Sequence, residues 1–448
     1  MILNIRKKLK RIIAFFLIIT ILLVVFFSSS AAAVTFDCSV KTYSDSIFMV
    51  NLDTGIPILE KEADAKRAPA SLVKIMTYIV AAEYFEDFDT RIEIKQEVID
   101  DVVNSGMVCS GLDWHVGDKL TVTDILYALM VPVGHDAAMV LADYIQNDSK
   151  NNIVDLMNEK AKDLSCTSTN FTNPTGVDDP DQYTTAKDMY LITKYALGLP
   201  LFSKICATTT YYLNDEKDDY PIVTTNYMID VARGGDYFYS YATGIKNGTT
   251  EKAGRCLVAT AVYDGYAYMC VCLHAPYNEE KDQTDQYCMI EAADLFRWAF
   301  LNLSFVTAAT KDTPVCEQKV DHAWDTNSIL LVPENDLNIV LPNDYTEGDI
   351  TITPDNTKSV SAPIKKGDIV TTATVAYKGE AFMKINLIAQ NNVKVSPILY
   401  TTDIIRNILT SVWFLLCVAL VIILFIVYVR VSSRYNKRKK ANEKRKYR

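Results

Sequence analysis

The segment Ala68-Pro69-Ala70-Ser71-Leu72-Val73-Lys74-Ile75-Met76-Thr77 decides how the rest of this 448-residue chain is read. Apolar residues recur through Ile75, Ile79, Val80 and Ala82, and Pro69 suits a chain entering a helix rather than continuing one. On that helix Ser71 and Lys74, three positions apart, share a face. An alcohol is a weak nucleophile at neutral pH and needs a base beside it. A lysine fills that role when burial and a second positive charge hold its amine neutral. Taken alone, Ser-x-x-Lys is more often a plain helix start with an exposed lysine. It occurs once here, so the surroundings carry the decision.

Working outward, the two ends of the chain differ. Arg6, Lys7, Lys8, Lys10 and Arg11 precede an apolar run from Ile12 to Phe27 and the small residues Ser28 to Ala33. That order predicts a signal peptide over residues 1–33, cleaved at Ala31-Ala32-Ala33. Leu409 to Val429 carries no charge and as a helix would reach roughly 31 Å at about 1.5 Å per residue, enough to cross a bilayer. Ten basic residues follow between Arg430 and Arg448, which predicts a cytoplasmic tail over 430–448 and an extracytoplasmic body.

The net charge of −10 conceals a more acidic body, because +5 sits in residues 1–11 and +9 in residues 430–448. An acidic exported body argues against nucleic acid as a partner. Ten cysteines, one inside the apolar run, and four histidines show no zinc-like spacing. Neither a metal nor any other cofactor is expected.

Between the ends, Ile47–Asp53 and Ile56–Glu60 read as a strand pair joined at Thr54-Gly55. Residues from Ile94 to Leu120 read as loops and short strands. Helices are expected from Thr121 to Tyr144 with a break at Pro132-Val133-Gly134, and over Asp155–Leu164 and Thr185–Leu197. Arg255–Tyr263 and Tyr266–Leu273, joined by Asp264-Gly265, predict a hairpin. Both strands are almost wholly apolar, so both faces of their sheet should be covered, one by a helix over Met289–Phe300. Beyond Thr310 short Val-, Ile- and Thr-rich strands read as a separate all-β domain over 310–400, with no long helical pattern before the apolar run.

Lys246-Asn247-Gly248-Thr249 lies just ahead of the hairpin, where an edge strand would run. On its own it reads as an Asn-Gly turn. With Ser71-x-x-Lys74 it supplies two of the three elements of serine acyl-transfer sites in penicillin-binding proteins and class A β-lactamases. Through these motifs, and through Gly117–Asp143 and Asn173–Leu197, the chain resembles the D-alanyl-D-alanine carboxypeptidases, the low-molecular-mass penicillin-binding proteins.

That resemblance implies an α/β fold over 36–305, with a β-lactamase/transpeptidase-like antiparallel sheet covered by helices. A small all-β C-terminal domain and one C-terminal transmembrane helix (409–429) complete the expected chain. It implies Ser71 as the acylated nucleophile, Lys74 as its base and Lys246 as a partner for the substrate carboxylate that also keeps Lys74 neutral. Asn247, Gly248 and Thr249 would bind substrate, with the backbone N–H groups of Ser71 and Thr249 as the oxyanion hole. The implied ligands are peptidoglycan stem peptides and β-lactams, and the implied reaction is release of terminal D-alanine.

One departure stands in the middle motif. Where the family has Ser-x-Asn, this chain has Val133-Gly134-His135 ahead of Asp136-Ala137-Ala138. Valine offers no hydroxyl to a proton relay. His135 either replaces the asparagine as a contact or relay, or merely packs the loop. A catalytically impaired homologue that binds cell-wall peptides without efficient turnover is therefore the alternative reading. Glu334-Asn335-Asp336-Leu337-Asn338 mimics a β-lactamase deacylation motif but follows Lys246, and it reads as a surface turn.

Overall fold

The computed structural model describes residues 36–105, 114–213, 221–277 and 285–446. The expected signal peptide and Cys109 lie outside them. Two compact units emerge: one holds the chain up to Val306 with Asn338–Glu347, the other Thr307–Leu337 with everything from Gly348 onward.

The first unit begins with β1 (Ser46–Asn51), β2 (Pro57–Lys61), a 3-10 turn at Ala70–Leu72 and α1 (Val73–Tyr84). There follow β3 (Arg91–Glu93), α2 (Gln96–Asn104), β4 (Lys119–Thr121), α3 (Val122–Met130), α4 (His135–Ser149), α5 (Ile153–Asp163), α6 (Ala186–Ala196) and α7 (Phe202–Cys206). Short strands β5 (Thr210–Tyr211) and β6 (Ile222–Val223) precede β7 (Ala242–Thr250), β8 (Gly254–Tyr263), β9 (Tyr266–Ala275) and α8 (Tyr287–Asn302). The main sheet has the order β2-β1-β9-β8-β7 and is antiparallel throughout, so β7 is an edge strand.

Alternation along the strands explains how the sheet is covered. Phe48, Val50, Val258, Met269, Val271 and Leu273 join the core built around α1, α3, α4 and α6. Their neighbours Ile47, Met49, Leu257, Ala259, Cys270 and Cys272 are equally buried but outside that core, and α8 packs on β8 and β9. Successive side chains of a strand face opposite ways, so the apolar strands of the hairpin are buried on both sides as expected. Helix α1 is apolar nearly all round and buried from Val73 to Ala81, the pattern of a central helix. Thr121 caps α3 with a reciprocal capping box to Asp124.

The second unit contains β11 (Cys316–Asp321), β12 (Ser328–Pro333), β14 (Ile350–Pro354), β15 (Val360–Ser361), β16 (Ile369–Tyr377) and β17 (Glu380–Ala389), in the sheet order β14-β16-β17-β12-β11-β15. Strands β10 (Leu303–Ala309) and β13 (Leu337–Pro342) lie in the chain where the units exchange segments. Ile329, Leu331, Ala373, Leu387 and Ala389 form part of this unit's core. Glu334, Asn335 and Asp336 are an exposed turn, as expected. Helices α9 (Pro397–Thr410) and α10 (Val412–Lys446) end the described chain.

Two expectations needed correction. Helix α2 stands where loops and short strands were predicted; only Val98 and Val102, four apart, are buried on it, too thin a stripe for the sequence to announce. Helix α9 was not foreseen at all. It shortens the apolar run at its start, because Ser411 is extended (ψ 140°) and separates Leu409 and Thr410 from the membrane-length helix beginning at Val412. All nine described cysteines are free thiols.

Glu291 on α8 is fully buried and fastens the start of β1: its carboxylate accepts from the backbone N–H of Tyr43 (2.5 Å) and Ser44 (2.9 Å), and from the Ser44 hydroxyl. Glu291→Ala strands these donors, at about 1–3 kcal/mol each. The expected outcome is a lowered Tm in thermal unfolding of the full chain, largely restored in Glu291→Gln; an unchanged Tm would contradict the fastening role.

Candidate active site

Ser71 sits in the 3-10 turn that leads into α1, held by an unusual backbone. The preceding Ala70 has φ +48°, a left-handed conformation that costs a residue with a Cβ of order 1–3 kcal/mol. Two glycines from other elements press on this turn. A Cβ on Gly176, in the loop before α6, would lie 2.1 Å from the Ala70 carbonyl oxygen, and one on Gly248 of β7 would lie 2.6 Å from the Ser71 nitrogen. No other residue fits at either place, and the turn is clamped between loop and strand.

Lys74 follows one turn later and is fully buried. Its Nζ lies 3.0 Å from Ser71 Oγ and donates to the Thr175 carbonyl oxygen. Burial, then the charge of Lys246, hold this amine well below the ordinary lysine range, with Asp136 pulling the other way. A neutral amine with one hydrogen committed to a carbonyl keeps a lone pair for the serine proton.

The loop that supplies the carbonyl is built by one side chain. Asn173 Oδ1 accepts from the N–H of Thr175 (3.2 Å), the N–H of Gly176 (2.8 Å) and the Thr175 hydroxyl (2.9 Å). Thr77 Oγ1 donates to the Pro174 carbonyl at 2.7 Å, fixing the loop to α1. At its far end Asp178 accepts from Thr250 Oγ1 at 2.7 Å, tying it to the end of β7.

Lys246 enters from β7 and is buried; its Nζ donates to the Pro132 carbonyl at 3.0 Å. Burial brings its pKa down to about 8. Asn247 Oδ1 accepts from Thr225 Oγ1 at 2.8 Å, and Thr249 Oγ1 lies 3.5 Å from Arg255 Nη1.

The middle motif joins the same place. Gly134 (φ +56°) makes the turn into α4, where a Cβ would lie 2.1 Å from the Ala128 carbonyl oxygen. His135 is therefore delivered as the first residue of α4. Burial first, then Lys74 and Lys246, push its pKa down to about 3. Its Nδ1 is buried with no hydrogen-bond partner among the described residues. A pKa that low leaves the ring a neutral imidazole at pH 7, within the electrostatic reach of both lysines. Val133 is half-buried beside it.

The fold thus brings Ser71, Lys74, His135 and Lys246 to one place, with Gly248 against the Ser71 nitrogen. Sequence reasoning missed the carbonyl groups of Thr175 and Pro132 and the packing role of Gly176. A backbone carbonyl has no signature in a side-chain pattern; the turn Asn173-Pro174-Thr175-Gly176 was the available signal. Among the described residues no cluster of three His, Cys, Asp or Glu side chains could hold a metal ion.

The sequence profile of the D-alanyl-D-alanine carboxypeptidase family matches residues 31–277, and that of the penicillin-binding protein 5 C-terminal domain matches residues 306–395. The D-alanyl-D-alanine carboxypeptidase DacF of Bacillus subtilis is 25% identical over 350 residues, 78% of this chain and 85% of its own. DacC of Escherichia coli, a D-alanyl-D-alanine carboxypeptidase, is 28% identical over 357 residues, 77% of this chain and 83% of its own. Penicillin-binding protein 5 from Haemophilus influenzae shares the fold with a TM-score of 0.65 at 23% identity, over 80% of this chain and all of its own. With more than half its length matched by the first profile, the chain belongs to the D-alanyl-D-alanine carboxypeptidase family.

Proposed function

We propose that the protein is a serine-type D-alanyl-D-alanine carboxypeptidase that removes the terminal D-alanine from peptidoglycan stem peptides. The observation that carries this reading is the buried Lys74 amine, 3.0 Å from the Ser71 hydroxyl.

In the proposed mechanism the substrate enters along the open edge of β7 with its terminal carboxylate toward Lys246. Ser71 Oγ attacks the carbonyl carbon between the two D-alanines as its proton passes to Lys74. The oxyanion is received by the backbone N–H groups of Ser71 and Thr249. Collapse breaks the C–N bond, and the proton held by Lys74 reaches the departing amine with His135 as relay, accepting on one ring nitrogen and donating from the other. Water then attacks the acyl ester, Lys74 again taking a proton, and Ser71 is regenerated. β-Lactams acylate Ser71 by the same first step.

Val133 puts no hydroxyl where the family has one, so the proposed enzyme is a slow one, since an acid–base participant contributes on the order of 10²–10⁴ in rate. The close approach of Lys74 to Ser71 supports turnover over mere binding. For the membrane, the apolar helix from Val412 supports a C-terminal anchor. A cleaved signal, an extracytoplasmic catalytic unit and a cytoplasmic basic tail complete the proposed topology.

The full chain in detergent should release D-alanine from a D-Ala-D-Ala peptide and Ser71→Ala should not; equal release would overturn the reading, and penicillin labelling without release would favour the impaired homologue. Val133→Ser should raise kcat by about tenfold or more, toward the 10²–10⁴ order of magnitude that a single acid–base group contributes; a loss of activity would contradict the relay argument. The pH profile has a sign as well. Lys246 loses its charge as pH rises through about 8, so kcat/KM should fall above that pH, and its acid limb should report deprotonation of Lys74. A flat profile to pH 9.5 would contradict the assignment of Lys246.

A further inference from the structure

The run Tyr237-Phe238-Tyr239-Ser240-Tyr241 and the tip of the β8–β9 hairpin have no place in the acyl chemistry. Strands β8 and β9 are buried along most of their length, but at the tip Tyr263 is 43% exposed, and Tyr241 beside it 41%. Their rings lie 4.6 Å apart, and Phe300 near the end of α8 lies 5.5 Å from Tyr263 and 5.1 Å from Tyr268. Aromatic pairs prefer such separations, so the rings hold one another in place.

Two hollows share the wall made by Tyr263 and Phe300. One, of about 290 Å³, runs over Tyr266, Tyr268 and Phe305 to Asp264, Asn343 and Asn51. The other, of about 410 Å³, lies against Tyr239, Tyr241 and Arg297. All of these residues belong to the first unit. Asn51 is fully buried, and its Oδ1 accepts from the N–H and the hydroxyl of Thr54, both at 2.9 Å. That fixes which way the amide faces. Its nitrogen, close to the Tyr268 hydroxyl, completes no hydrogen bond among the described residues. A buried donor of this kind calls for an acceptor oxygen.

Charge narrows the class of ligand. Asp264 sits in the smaller hollow, and Arg297 in the larger is paired with Asp294 at 2.5 Å, so nothing here attracts a polyanion. The walls offer flat apolar faces with the amide of Asn343 and the hydroxyls of Ser304 and Ser240 at their edges. A sugar ring has the same two characters: a face of C–H groups that packs on an aromatic ring, and a rim of hydroxyls that form hydrogen bonds.

We propose that the two hollows bind a neutral saccharide, a chain of β-linked acetamido sugars. One sugar lies on each side of Tyr263, and an acetamido carbonyl accepts from the Asn51 amide. The choice of ligand rests on the proposed action of this chain on peptidoglycan, whose glycan strands have that chemistry. The site is remote from the reacting serine. Gly248 pairs with Cys256, and Tyr263 lies seven residues further along β8, roughly 23 Å at about 3.3 Å per residue. It holds the polymer, not the peptide that is cut, and so raises the local concentration of stem peptides.

The test is titration of the full chain in detergent with chitotetraose, an uncharged β-linked tetramer of N-acetylglucosamine, followed by saturation-transfer NMR. Ser71→Ala should bind it as the wild type does. Tyr263→Ala should weaken binding about tenfold or more and Tyr263→Phe should not, because the ring is the platform. Thermal unfolding checks that each variant is folded, and D-alanine release from a short free peptide should be the same in Tyr263→Ala as in the wild type. No saturation transfer to the sugar, or equal binding by Tyr263→Ala and the wild type, would overturn the proposal while D-alanine release left the carboxypeptidase reading standing. A crosslinked dimer lost in Tyr263→Ala, with no sugar bound, would overturn it in favour of a protein contact. Sugar binding without D-alanine release by the wild type would remove the carboxypeptidase reading and support the saccharide site.

Discussion

An ammonium group taken out of water and set beside a second one gives up its proton, and this chain is built so that the group concerned is next to a serine. Lys74 lies on a helix buried from Val73 to Ala81, and its amine is held between the Ser71 hydroxyl and the Thr175 carbonyl. Everything else in the site either creates that burial or exploits it. The helices around α1 exclude water, Lys246 adds the second charge, and the glycines let strand and loop close on the serine.

Close approach is the second constraint. A nucleophile at a helix start is useful only if an edge strand passes near enough for backbone N–H groups to share one oxygen. Gly248 permits that approach on the strand side and Gly176 on the loop side, and the strained Ala70 between them registers the squeeze. The loop is no passive filler. Asn173 shapes it, Thr77 fixes it to α1 and Asp178 fixes it to β7, so the acceptor for Lys74 is tied to both sides of the cleft.

Much of this was legible in the residues, for reasons that differ by element. Two apolar runs of strand length meeting at Asp264-Gly265 announce the hairpin, because that dipeptide suits the left-handed backbone a tight turn between strands requires. Ser71 and Lys74 are legible because helical spacing fixes their proximity. Lys246 was legible only in company with them. What the residues could not reveal is carried by backbone or by thin patterns: the Thr175 and Pro132 carbonyls, α2 with two buried valines, and α9 with its apolar side outward. His135 is intermediate. Its sequence position left contact, relay and packing open, and its buried unpartnered Nδ1, on a ring that feels the charges of Lys74 and Lys246, favours a hydrogen-bonding role.

The protonation state of Lys74 is the point on which the account turns. It is read most directly by NMR titration of the full chain labelled with carbon-13 at lysine Cε, with the Lys74 signal assigned by its loss in Lys74→Arg. The account predicts a resonance titrating well below the surface lysines and shifting to higher pH when Lys246 is replaced by Gln. A Lys74 signal titrating among the exposed lysines, near the ordinary value of about 10.4, would contradict it.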